Sequence, residues 1–131
     1  MRAAVRTASG TYVVDLEAEE VLGEGQDFEQ PRIKVDLPRV VSSAAAGSTV
    51  VAVVDRRPPL AISHDAGSTW HESGGGLPPG FAVAIDDDNP DRMLYAARNR
   101  LYLSEDGGRF WRALVPELPE IEAVRFEPSE S

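Results

Sequence analysis

The octapeptide SHDAGSTW at residues 63–70 returns 41 residues later as SEDGGRFW at residues 104–111. The two copies share a Ser, an Asp, a Gly and a Trp at the same spacing. An Asp side chain accepts hydrogen bonds from the backbone N–H groups of a tight turn, and Gly adopts backbone conformations that strain other residues. The repeat therefore predicts the same hairpin turn twice, with one strand entering and one strand leaving each turn.

The repeat extends outward from both octapeptides. Leu-Pro occurs at residues 37–38, 77–78 and 118–119, and the strand candidate 82–85 aligns with 123–126. Apolar hairpin partners precede the octapeptides at 50–54 and 93–97, with fainter copies at 3–7 and 12–15. A period of roughly 20 to 50 residues indicates a repeat architecture. The chain therefore contains three repeats: two clear copies, and a degenerate first copy that lacks the octapeptide.

Secondary-structure signals are β along the whole chain. Short apolar or alternating runs are separated by clusters of Gly, Pro, Asn and Asp, for example at 74–76, 78–80 and 89–90. The segment 15–21 is the only candidate for a helical turn, and it is too short to change the class. The pattern predicts an all-β sandwich, barrel or propeller.

The two octapeptides resemble the Asp-box, the BNR repeat of sialidases, sortilin-type receptors and the photosystem II assembly factor. The flanking phrase IDDDNPDRMLYAA at residues 85–97 is similar to the inner-strand hairpin of the same propellers. The resemblance covers residues 37–128 well and residues 1–36 poorly. It implies four-stranded antiparallel blades of a β-propeller, in which each box joins the third and fourth strands. Such propellers serve many unrelated functions, so the resemblance indicates a fold rather than an activity.

The resemblance implies structural roles for the box residues. The Asp residues are expected to hold the turns, the Gly residues to bend them, and the Trp residues to pack beneath them. The set comprises Ser63, Asp65, Gly67, Thr69, Trp70, Ser104, Asp106, Gly108 and Trp111. We expect these side chains to stabilise blades and not to contact a ligand.

The strand order predicts a half-propeller that is cut between the first and second strands of a blade. The divisions are a degenerate blade with an acidic insertion at 1–36, Asp-box blades at 37–76 and 77–117, and an inner strand at 118–131. Three blades are too few to close, because propellers have about four to eight. We therefore expect a C2 homodimer of six blades, in which residues 118–131 complete a blade of the partner by strand exchange. The alternatives are closure by another protein's blades, or a chain cut from a longer gene product.

The composition argues against several classes of partner. The 131-residue chain has 22 acidic and 13 basic side chains, and its net charge is −9. This charge disfavours nucleic acid and anionic membrane surfaces, which attract basic faces. The sequence has no Cys for disulfides or Cys-based metal sites. It shows no secretory signal and no apolar stretch of membrane-spanning length, so the cytoplasm is the default location.

Sialidase-like hydrolysis is the weakest of the functional alternatives. The resemblance would imply an arginine triad, a Tyr–Glu nucleophile pair and an Asp acid, but no such motif is recognisable. Residues 31–33, Pro-Arg-Ile, only faintly match the family's Arg-Ile-Pro. Tyr95 and Tyr102 fall on strand candidates, where packing is the expected role. With 22 acidic residues, carboxylate pairs suitable for a glycosidase are uninformative. We expect no catalytic residue, no enzymatic activity and no cofactor.

Two groups of residues are candidates for a metal site. The acidic loop at 86–91 offers the oxygen ligands that Ca²⁺ prefers, but a solvated turn is the favoured interpretation. His64 and His71 flank the first box without the tight ligand spacing of a zinc site. We therefore predict no metal site.

Binding is expected on loops and on the inner strands. The acidic segment 16–36, which contains Phe28, departs most from the repeat, and loops on a rigid scaffold often carry function. Its competing interpretation is a decayed blade. Arg56 and Arg57 in a polar turn, and Arg125 facing the central channel, complete the candidate partner or channel contacts. We predict a non-catalytic scaffold for protein binding or complex assembly, acting as an oligomer. A glycan- or small-ligand-binding propeller is the alternative, which exposed aromatic side chains near blade interfaces would favour.

Overall fold

The computed structural model describes residues 1–29 and 35–127. Within these ranges the chain forms twelve β-strands, and it contains no helix that could cross a membrane. The strands are β1 (Arg2–Thr7), β2 (Gly10–Asp15), β3 (Glu20–Glu24), β4 (Val40–Ala46), β5 (Thr49–Val54), β6 (Leu60–Ser63), β7 (His71–Ser73), β8 (Ala82–Asp86), β9 (Asn89–Ala96), β10 (Arg100–Ser104), β11 (Arg112–Glu117) and β12 (Ile121–Phe126).

The strands form three four-stranded antiparallel sheets, which we call blades. Blade 1 has the order β12-β1-β2-β3, blade 2 the order β4-β5-β6-β7, and blade 3 the order β8-β9-β10-β11. The inner strands are β4, β8 and β12, and β8 lies against both of the others. Blade 3 therefore stands between blades 1 and 2. The all-β half-propeller predicted from the repeats is confirmed.

Alternating side chains of blade 3 supply both interfaces between blades. Along β8, Val83 and Ile85 face blade 2, whereas Ala82 and Ala84 face blade 1, as the two-residue period of a strand requires. Other large side chains include Val14, Leu16, Leu94, Leu101, Leu103 and Leu114 at the first interface, and Val51, Ile62, Met93 and Tyr95 at the second. Burying each Leu or Ile contributes about 1.5–3 kcal/mol, so these two apolar layers hold the blades together.

Blade 1 is completed by the C-terminal strand of the same chain, which differs from the predicted strand exchange. Strand β12 pairs antiparallel with β1, with Val124 opposite Val5. Two bonds extend the ladder, since the Glu127 N–H donates to the Arg2 carbonyl at 2.9 Å and the Ala8 N–H to the Glu120 carbonyl at 2.9 Å. The partner edge lies in the same molecule, so pairing there avoids the entropic cost of bringing two chains together. Residues 118–127 thus belong to blade 1, while residues 128–131 lie outside the described ranges.

Side-chain hydrogen bonds of the first box (residues 63–70) hold the turn between β6 and β7. The Ser63 hydroxyl donates to Asp65 Oδ1 at 2.7 Å and accepts the Gly67 N–H at 2.8 Å. Asp65 in turn accepts the Thr69 N–H at 2.8 Å and the Thr69 hydroxyl at 2.6 Å. The box therefore satisfies turn N–H groups that the strand ladder leaves without partners.

These hydrogen bonds make the stability of the box dependent on pH. Donation from Thr69 and Ser63 lowers the pKa of Asp65 from 3.8 to about 2. A carboxyl whose pKa is depressed on folding contributes stability above its unfolded pKa and loses it as the pH falls through the folded pKa. We expect the free energy of unfolding to decrease as the pH falls from about 4 to about 2, the unfolded and folded pKa values, and to decrease less steeply in Asp65→Asn. Urea titrations at each pH measure this slope, and an Asp87→Asn variant that flattened it equally would contradict the assignment.

The second box repeats this turn and also joins two blades. The Gly108 N–H donates to the Ser104 hydroxyl at 2.9 Å, and Asp106 Oδ1 accepts the Phe110 N–H at 3.0 Å. The indole N–H of Trp111 donates to the Gly108 carbonyl at 3.1 Å and to the Ser73 hydroxyl of blade 2 at 3.3 Å. The Ser73 hydroxyl also donates to the Gly108 carbonyl. The box of blade 3 is therefore part of its seam with blade 2.

Blade 1 replaces the missing box with a shorter turn. Asp15 Oδ1 accepts the N–H groups of Glu17 and Ala18, both at 3.0 Å, at the place where the other blades carry Ser and Asp. Strand β3 (Glu20–Glu24) follows this turn and pairs with β2. The acidic segment that the sequence suggested as an insertion, with a helical turn at 15–21, therefore begins with a turn and the outer strand of a complete blade.

Glu19 in this turn connects blade 1 to blade 3. Its carboxylate accepts the Val115 N–H at 2.9 Å and contacts Arg112 Nη1 at 3.1 Å, both on β11. Because the side chain is partly exposed, we expect Glu19→Ala to lower the free energy of unfolding by only about 1 kcal/mol. Denaturant unfolding of Glu19→Ala and of the neighbouring Glu20→Ala tests this. Equal losses in both variants would show that the contact between the blades contributes nothing measurable.

Candidate functional site

The three inner strands converge on one cleft, which is the candidate functional site. Its volume is about 630 Å³, and we call it the inner-strand cleft. Its walls come from all three blades and from the segment that follows β3. The lining residues are Phe28, Glu29, Ser43, Ala44, Ala45, Ala84, Ile85, Asp86, Asp87, Asp88, Val124, Arg125, Phe126 and Glu127. A concave, mostly apolar site with a few converging polar groups is the usual form of a binding pocket.

Phe28 and Arg125, which the sequence suggested separately, form a single unit in this cleft. The Phe28 side chain is 7% exposed and packs on Ala4 and Ala123, the small residues of β1 and β12. The Arg125 guanidinium lies over the Phe28 ring, 4.7 Å from its centroid. Arg6 Nη1 donates to the Phe28 carbonyl at 2.8 Å and fixes the backbone. The aromatic ring thus covers the outward face of blade 1 and supports a cation at the cleft wall.

The acidic loop between β8 and β9 forms the opposite rim. Asp86 lies 3.6 Å from Arg92 Nη1, and its Oδ1 accepts the Asp88 N–H at 3.0 Å. Asp87 and Asp88 are exposed at the turn. The solvated turn expected here is therefore also a wall of the cleft. Among the described residues, no group of three or more His, Cys, Asp or Glu side chains is arranged to hold a metal ion.

The described lining of the cleft is strongly acidic. It contains five carboxylates and one guanidinium: the carboxylates are Glu29, Asp86, Asp87, Asp88 and Glu127. The guanidinium of Arg125 is already engaged, because Glu127 Oε1 lies 3.9 Å from its Nη2 and the Phe28 ring lies beneath it. The cleft therefore presents a negative field over an apolar floor.

The remaining candidate residues lie elsewhere. Arg56 and Arg57 are exposed in the turn between β5 and β6 and do not line the cleft. Tyr95 is buried, its hydroxyl donates to the Pro78 carbonyl at 2.6 Å, and burial raises its pKa. It packs beside Tyr102 and Trp111 in the interface of blades 2 and 3. The stretch at 31–33 lies outside the described residues.

A second, smaller groove lies on blade 3. Its volume is about 490 Å³, and Pro78, Pro79, Phe81 and Tyr102 form its apolar surface. Arg98 and Arg100 flank it, and Arg100 is paired with Glu117 at 2.9 Å. Half of the Phe81 side chain is exposed. No motif or repeat in the sequence singles out this groove.

Sequence reasoning missed Glu29, Ser43 and Glu127 as cleft residues. It assigned Glu29 to an acidic loop and Glu127 to a terminal strand. The signal that would have found Glu127 is the alignment of β8 with β12, because aligned inner strands end at the same side of the cleft. The acidic loop after β8 and Glu127 after β12 occupy that position.

The three antiparallel blades and the cleft shared by their inner strands define an all-β protein of the propeller-like class. No protein-family model matches the chain, and no curated protein matches it. In structure it is similar to a GH74 enzyme of Niastella koreensis, with 23% identity and a TM-score of 0.48. The match covers 84% of this chain but only 17% of that enzyme. The likeness is too distant to support any statement about activity.

Proposed function

We propose that this chain is a non-catalytic half-propeller that mediates protein binding or complex assembly, and that it receives a segment of its partner in the inner-strand cleft. The observation that carries the proposal is the joint construction of the cleft by all three blades and Phe28. Because every blade contributes residues to the cleft, the three repeats together form one binding site. The floor is apolar and the rim is charged, which is the usual anatomy of a protein interface.

The arrangement of polar groups in the cleft supports a binding role over a catalytic one. Asp86 is held by Arg92 and by the Asp88 amide, and Arg125 is held by Phe28 and Glu127. Each of these groups is engaged with neighbours on its own side of the cleft, whereas a general acid or base needs access to the reacting atom. The cleft is therefore suited to recognising a surface.

Site-specific photo-crosslinking tests the proposal. A photo-reactive amino acid at position 87 lies at the exposed rim of the cleft, and one at position 56 is equally exposed but outside it. In cells that produce the protein naturally, we expect position 87 alone to yield a discrete protein adduct. Adducts at both positions, or at neither, would refute the cleft as the binding site for a protein.

Association of two copies into a six-bladed ring is a separate proposal. It is supported by the number of blades, since three are fewer than the four to eight or so of closed propellers. Blade 1 needs no strand from a partner, and Phe28 already covers its outward face, so association would occur without strand exchange. Light scattering at several concentrations decides: a constant mass of twice the 14.2 kDa chain supports the ring, and a stable monomer excludes it. A monomer that still crosslinks would favour a different protein as the partner.

A glycan-binding role is the second candidate, and one observation favours it. Phe81 is half-exposed beside Tyr102 and two prolines in the groove on blade 3. Exposed aromatic faces are common platforms for apolar faces of ligands. Calorimetric titration with neutral oligosaccharides, using wild type and Phe81→Ala, would show heat only in the wild type if this candidate is correct. If neither protein produces heat, the glycan-binding candidate is excluded and the protein-binding proposal remains.

A further inference from the structure

We propose that the inner-strand cleft binds an extended basic peptide segment, with Lys or Arg side chains at the acidic rim and an apolar side chain on the floor. This inference rests on the proposed function and specifies the chemistry of the partner. Three observations support it. The floor is apolar and lined by small side chains, the carboxylates lie on the rim, and Arg125, the cation among the described lining residues, is already paired with Glu127 and Phe28.

The floor has room for an apolar side chain. Ala44 and Ala45 on β4 and Ala84 on β8 line the cleft. Ile85 and Val124 continue the apolar surface on the neighbouring strands. Small side chains on inner strands leave a depression where larger ones would fill it, and that depression lies beside the buried Phe28 ring. An apolar anchor of a peptide would displace water from this surface.

The carboxylates surround this floor on two sides. Asp87 and Asp88 lie on the loop after β8, and Glu127 lies after β12 with Glu29 beside Phe28. A segment that lies across the floor therefore meets negative charge at both of its ends. Two separated acidic groups suit a peptide with basic side chains on either side of an apolar one, and they are poorly suited to a single small anion.

Arg125, the cation among the described lining residues, does not cancel the negative charge of the rim. Arg125 is stacked on Phe28 and faces Glu127 at 3.9 Å, so its charge is shared within the wall. The net charge of −9 adds a long-range field of the same sign, which speeds the approach of a basic partner. Charge complementarity thus selects a basic occupant over an acidic or nucleic-acid one.

The test uses two labelled pentapeptides, Lys-Leu-Lys-Leu-Lys and Glu-Leu-Glu-Leu-Glu, in fluorescence anisotropy at low salt. We expect the basic peptide to bind and the acidic peptide not to bind. Reversing both exposed rim charges in Asp87→Lys/Asp88→Lys should weaken binding about tenfold or more. The matched control is Glu20→Lys/Glu24→Lys on the exposed β3, which makes the same change in net charge outside the cleft.

Each outcome decides the inference. Equal weakening by both double variants would show non-specific attraction to the acidic chain and would overturn it. Equal binding of both peptides would also overturn it, because the rim charges would then select nothing. If position 87 still crosslinks a protein in either case, the proposed function stands without this chemistry. If position 87 yields no adduct, the proposed function itself fails.

Discussion

Replacing Phe28 with Ala is expected to lower the free energy of unfolding by about 3 kcal/mol. Buried Phe→Ala substitutions cost about 3–5 kcal/mol, and the lower end applies because the segment at the surface can relax into part of the space. The ring covers Ala4 and Ala123, which are too small to protect the face of blade 1 by themselves. Its loss also removes the support of Arg125. Chemical denaturation monitored by circular dichroism measures the effect.

The matched control is Phe110→Ala. Phe110 is also a phenylalanine outside the strands, but its side chain is 78% exposed. Exposed substitutions of this kind change stability by at most about 0.5 kcal/mol. If Phe28→Ala behaved like Phe110→Ala, the segment at 25–29 would not be a cap on blade 1, and the cleft would lose one of its walls.

Replacing Gly108 with Ala is expected to have a comparable or larger effect, about 2–5 kcal/mol. Gly108 has φ of 90°, a backbone conformation that costs other residues about 1–2 kcal/mol. A Cβ atom at this position would also overlap Ile62 Cδ1 of blade 2. Overpacking of this kind adds about 1–3 kcal/mol. The seam between blades 2 and 3 should therefore open first in this variant.

Gly67→Ala separates the cost of the positive φ from the cost of the overlap with Ile62. Gly67 occupies the same place in the first box with φ of 92°, but a Cβ there meets only Trp70 at an ordinary 3.5 Å. This variant should lose about 1–2 kcal/mol, the backbone contribution alone. Thermal or denaturant unfolding of both variants gives the difference. Equal losses would show that Ile62 moves aside freely and that the seam is loosely packed.

The two boxes made most of the fold predictable. Residues 63–70 and 104–111 carry their turn chemistry in short side chains close in sequence, so their hairpins follow from local rules. The first blade was less predictable. Asp15 and Glu19 replace the box there with contacts that are not part of the repeated sequence. The pairing of β12 with the edge of β1 was predicted from the repeat, but as an exchange between two chains, whereas the structure forms it within one chain. A strand pattern shows which edges can pair but not whether the two strands belong to the same molecule.

The candidate site was only partly predictable. Arg125 was predicted to face the channel because it lies on an inner strand, and it is among the residues that line the cleft. Phe28 was noted as an isolated aromatic residue in an acidic segment, but its position over Ala4 depends on tertiary packing. Arg56 and Arg57 were candidates because they lie in a polar turn, and they do not line the cleft. Contacts between residues about a hundred positions apart leave no trace in a single sequence.

The ladder between β12 and β1 also governs how the chain folds as it leaves the ribosome. Blades 2 and 3 can each form once their own strands have been synthesised, because their pairings are local. Strands β1 to β3 of blade 1 are synthesised before the other two blades. The sheet of blade 1 cannot be completed until its inner strand, residues 121–126, has also been synthesised. Until then the edge of β1 is unpaired on the nascent chain, where such edges invite aggregation. Blade 1, whose strands β1 to β3 precede the other two blades in the sequence, is therefore the last of the three to gain all of its strands.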